Sequence, residues 1–79
     1  VEDKSKNENQ DTDIGIEKAK EIALEKAGLK AEDVIFTEQS PDYEKGAKVY
    51  EIEFKKDRVE YSAEIAADGK IISWETDND

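Results

Sequence analysis

From Ile14 onward the apolar positions keep one rhythm and then change to another. Ile16, Ala19, Ile22, Ala23 and Ala27 recur at intervals of three and four, which places them on one face of a helix, with Leu24 at its margin. Glu17, Lys18, Glu21 and Glu25 fall on the opposite side. The spacing predicts a helix over Ile16 to Ala27. Gly15 is a tolerable N-cap, Ile14 is placed to staple against Ala19, and Glu17 suits the positive end of the helix dipole. Gly28 supplies a left-handed stop, and the alanines along the stripe let the helix axis come close to a sheet.

Beyond Gly28 the period falls to two. Val34 to Glu38 reads as a strand ended by Ser40-Pro41-Asp42, with a polar loop through Gly46. Ala47 to Lys56 carries the clearest alternation, with Tyr50, Ile52 and Phe54 on one side and Val49, Glu51, Glu53 and Lys55 on the other. Asp57-Arg58 makes a tight connection, after which Val59, Tyr61, Ala63 and Ile65 repeat the pattern against Glu60, Ser62 and Glu64. Asp68-Gly69 predicts a two-residue hairpin turn with positive φ at both positions, leading into a last strand, Lys70 to Thr76. The fold class that follows is α+β: one N-terminal amphipathic helix packed on a four-stranded antiparallel meander whose other face is solvated. It accounts for residues 14–79 as a single domain. Residues 1–13 hold one apolar side chain, Val1, against five acids and two lysines, and read as a flexible acidic tether.

Charge narrows the range of partners. Charged residues make up 43% of the chain and the formal net charge is −10, so nucleic acid and anionic membranes are poor partners, while a basic protein or a cation is a better one. No apolar run approaches the length of a membrane span. Histidine and cysteine are both absent, which removes the usual neutral-pH base, the usual strong nucleophile and the usual soft metal ligands together. Carboxylate pairs such as Glu51 with Glu60 or Glu53 with Glu64 sit on the solvated face, where nothing raises a carboxyl into the range of a general acid. Asp11-Thr12-Asp13 and Asp77-Asn78-Asp79 lack the loop of a calcium site and offer weak cation contact at most. No catalytic, cofactor-binding or metal-binding residue is therefore expected, and the chain is read as a non-enzyme. Tyr43, on a polar loop, and Trp74, closing the sheet edge, are the two candidate partner-binding residues. The open sheet edges could accept an extended peptide, although their charged side chains also guard against such pairing.

The same positions resemble the PepSY domain, a module of thermolysin-like peptidase propeptides and of many bacterial envelope proteins and lipoproteins. The resemblance is carried by Ile14-x-Ile-Glu-x-Ala-x-x-Ile-Ala-Leu-x-x-Ala-Gly28, Val49-Tyr50-Glu51-Ile52-Glu53-Phe54, Glu60-Tyr61-x-Ala-Glu-Ile65, Ala67-Asp68-Gly69-Lys70-Ile71-Ile72 and Trp74. Gly15 departs from the commoner Ser or Thr. The resemblance implies a helix cradled by an antiparallel sheet, no catalytic residues, export to the bacterial cell envelope, and a module that restrains or regulates a peptidase or another envelope protein; the domain is expected to be monomeric. The alternative it leaves open is a spacer module of an envelope lipoprotein with no activity of its own. It transfers no functional residue, because the matched positions are core and turn residues.

Overall fold

Helix α1 runs Ile16–Ala27, the span its apolar stripe predicts. Ala19 and Ala23 are fully buried and Leu24 nearly so, while Ile16, Ile22 and Ala27 are half-buried around them. Leu24 is thus central to the buried face, not marginal to it. Gly28 closes the helix in the left-handed conformation at φ 74°, with its N–H donated to Glu25 and the Leu29 N–H donated to Leu24. The structure, a computed structural model, describes residues 13–78. The expected tether therefore lies outside the described residues except for Asp13.

A single 3-10 turn, Ala31–Asp33, leads into four strands: β1 Ile35–Glu44, β2 Ala47–Lys56, β3 Val59–Ala66 and β4 Ile71–Asn78. They form one antiparallel sheet in the order β1-β2-β3-β4, each strand beside its neighbour in sequence. Helix α1 packs across β1, β2 and β3. Between helix and sheet lies the core: Ala19, Ala23 and Leu24 meet Tyr50, Ile52, Phe54, Ala63 and Ile65. Four aromatic rings cross all four strands in this layer. Phe36 meets Phe54 at 5.6 Å, Phe54 stacks on Tyr61 at 5.0 Å, and Tyr61 meets Trp74 at 6.0 Å.

Three local expectations are corrected. The segment read as a loop after Glu38 is strand: β1 continues through Ser40, Pro41 and Asp42 to Glu44, with Pro41 opposite Tyr50. Proline is tolerated there because β1 is an edge strand and a missing N–H on the outer side breaks no ladder. The two-residue turn with positive φ at both positions is Lys45-Gly46, at 53° and 81°, not Asp68-Gly69. Asp68 has no positive φ; the β3–β4 connection runs from Ala67 to Lys70, and within it the three-residue loop Ala67-Asp68-Gly69 is closed by Gly69 N–H to Ala66 and Ala66 N–H to Lys70, with only Gly69 at positive φ. Lastly, the last strand, expected over Lys70 to Thr76, is Ile71–Asn78, and a register shift opposite Glu64 and Ile65 makes Ile71 the partner of Ile65 and leaves Ile72 51% exposed.

Candidate functional site: an acidic sheet face and two open edges

The sheet face away from α1 gathers acids from every strand. The register sets Ser40 beside Glu51 beside Glu64 beside Ser73, and Glu38 beside Glu53 beside Ser62 beside Glu75. A groove on this face is lined by Glu51, Glu53, Ser62, Glu64, Ser73 and Glu75. The cross-strand partner of Glu51 is Glu64, whereas Glu60 faces Lys55 and Glu53 faces Ser62, so neither carboxylate pair suggested by the sequence forms. Asp42 and Glu44, hidden from sequence reading by the loop assignment, join Glu51 in a trio whose carboxylate oxygens lie within 4.8 Å of one another. Val49 sits on this face outside the helix-side core, yet it is only 2% exposed, which requires the flanking side chains of β1 and β3 to lie over it.

Crowding of like charges has a titration signature. Glu51 is pushed above the ordinary carboxylate value by its hydrogen bond with Asp42, by desolvation and by the charges of Asp42, Glu64 and Glu38. Glu64 is pushed up by its hydrogen bond with Glu44, by desolvation and by the charges of Glu44 and Asp42. A raised native pKa contributes stability at low pH that is lost as pH rises through it, so ionised Glu51 and Glu64 work against folding at neutral pH. Glu51→Gln and Glu64→Gln are each expected to stabilise the domain by about 0.2–1 kcal/mol at pH 7, the size of a like-charge cross-strand pair. Thermal unfolding at pH 7 and pH 4.5 checks this. The gain belongs at pH 7 and shrinks at the lower pH; variants no more stable than the parent at pH 7 would show that the carboxylates do not strain the sheet.

On the other side of the molecule an acid is stabilised instead. Asp13 accepts hydrogen bonds from Lys48 at 2.8 Å, from the Tyr50 hydroxyl and from the Gly15 N–H at 3.0 Å. Lys48, Tyr50 and Gly15, in that order, hold its carboxyl down at about 2, and the pair with Asp13 raises Lys48 in turn. Its contribution is present above the ordinary Asp value of 3.8 and is lost as pH falls through about 2. Asp13 is thus occupied in fastening the start of α1 to β2. The rest of the proposed Asp11-Thr12-Asp13 cation contact lies outside the described residues, as does Asp79 of the other.

The two aromatic candidates part company. Tyr43 lies near the end of edge strand β1, opposite Lys48, and is 67% exposed. Trp74 lies on the helix side of β4 opposite Ala63, half-buried against the core and the Tyr61 ring. They stand on opposite edges of the sheet, and the structure does not bring them together. Among the described residues no charged side chain is buried, and the buried Tyr50 donates its hydroxyl to Asp13. No helix among them is long and apolar enough to cross a membrane.

Comparison with known protein families gives a match. The family model described as peptidase propeptide and YPEB domain, PepSY, matches residues 13–75. That span covers α1 and the sheet to within three residues of the end of β4. No curated protein and no solved structure matches the chain.

Proposed function

The chain belongs to the PepSY family, and from that premise we propose that it is a non-enzymatic module that binds an extracytoplasmic protein, a peptidase first of all, and restrains or regulates it. PepSY domains relate to peptidase propeptides, are generally non-catalytic and occur in extracytoplasmic proteins. The observation that carries the proposal is the family match itself, which covers the helix and the sheet to within three residues of the end of β4. The acidic face supports it: a polar surface with a large excess of carboxylates attracts and orients a basic partner more than it turns over a small substrate.

Incubating the domain with the metallopeptidases secreted by its source organism tests this reading. A dose-dependent loss of peptide hydrolysis, or a complex retained on size-exclusion chromatography, is the expected result. Hydrolysis and elution unchanged across all of those peptidases would leave the spacer reading in its place.

A further inference from the structure

We propose that the outer edge of β4 receives an extended segment of a partner protein in which apolar residues alternate with lysine or arginine. The proposal rests on the binding-module reading above and names the surface and the chemistry that reading would use. Being last in the sheet order, β4 presents a row of backbone N–H and C=O groups with no strand beyond them among the described residues. The opposite edge is blunted, since β1 carries Pro41 within the strand and a register shift between Phe36 and Glu38. On β4 the irregularity is confined to the start, and Ser73 to Asn78 stay in continuous register with Glu64 to Val59, without proline or glycine.

The two faces flanking this edge differ in kind. On the helix side α1 packs over β1, β2 and β3, so the aromatic row ends at Trp74 as a half-buried ledge beside Tyr61. An added strand would set apolar side chains against that ledge. On the far side Ser73, Glu75 and Asp77 stand beside Glu64, Ser62 and Glu60, and neither β3 nor β4 contains a lysine or arginine. Side chains of the opposite parity would meet carboxylates there, where cations are favoured and acids rejected. A second copy of this chain is a poor occupant, because pairing two β4 edges brings Glu75 and Asp77 against their own kind. The acids that guard the edge against self-association thus select a cationic strand.

The probe is a blocked nine-residue peptide alternating valine and lysine, titrated into the isotope-labelled 79-residue protein. Amides of Ser73 to Asn78 are expected to shift and to exchange with solvent at least about tenfold more slowly, with a change in Trp74 fluorescence. Methylating the peptide's backbone amides, or replacing its lysines with glutamates, should weaken the effect about tenfold or more. No response at about 1 mM peptide, shifts spread over the acidic face without slowed exchange on β4, protection on β1, or equal binding by the methylated peptide would each overturn the proposal. So would β4 protection already present in a dimer of the protein alone, detected by sedimentation. A peptidase that binds while β4 stays unprotected removes the edge proposal and leaves the binding function; peptide pairing on β4 when no secreted peptidase binds does the reverse.

Discussion

Phe54→Ala is expected to cost about 3–5 kcal/mol, which for a unit of this size approaches its whole stability. Phe54 is 1% exposed, sits between the Phe36 and Tyr61 rings, and lies in the cluster that meets Ala19, Ala23 and Leu24. Because the helix places Ala19 and Ala23 fully buried at the interface, much of the volume between helix and sheet is filled from the sheet side. Deleting the ring therefore leaves a cavity as well as lost burial. Urea unfolding followed by Trp74 fluorescence measures the effect, since Trp74 is the single tryptophan and closes the same aromatic row. The contrasting substitution is Ile35→Ala on β1, where 66% exposure predicts a change within about 0.5 kcal/mol. Comparable losses at the two sites would mean that the core is not organised around the helix-facing side of β2.

The arithmetic of alternation made the fold legible, and the places where it failed are places where backbone geometry breaks the count. Tyr50, Ile52 and Phe54, then Tyr61, Ala63 and Ile65, face α1 as their parity requires, because any one-residue slip would put them in water. Ser40-Pro41-Asp42 reads locally as a turn. It is strand because the Ile35–Glu44 edge has a free side, a fact of sheet order that no short window of sequence contains. Asp68-Gly69 carries the stronger hairpin signature, yet Asp68 Oδ1 accepts the Lys70 N–H and a three-residue loop results, while Lys45-Gly46 takes the tighter turn with a less favoured first residue. The same limits apply to the candidate site. Every acid of the solvated face is visible in the sequence, but that Glu51 faces Glu64, and that Asp42 and Glu44 join them, depends on the length of β1 and the register it imposes. Trp74 was recognisable as an edge residue; the ledge it forms depends on the helix packing over the first three strands.

Gly15→Ser is expected to destabilise the domain by about 1–3 kcal/mol, although serine is the better N-cap by residue preference. An N-cap residue ordinarily has negative φ; Gly15 has φ 87° and ψ 160°, a conformation in which a Cβ is strained whatever space surrounds it. The space is in fact open, with nothing within 4 Å of where a Cβ would stand, so the cost is conformational and not a clash with a neighbour. Two bonds hold the backbone there. Asp13 accepts the Gly15 N–H while the Ile14 N–H is donated to Ala67 at 2.9 Å, fixing the chain on either side of the turn into α1. A serine hydroxyl would gain about 1 kcal/mol at most from capping, and only from a backbone that had first abandoned those bonds. Gly15→Ala gives the strain without any cap and should lose at least as much as Gly15→Ser, both read as shifts in the urea midpoint at unchanged slope. If Gly15→Ser were as stable as the parent or more so, the chain would enter the helix by an ordinary N-cap, and the fastening of Asp13 to Lys48 and Tyr50 could not be what sets its direction.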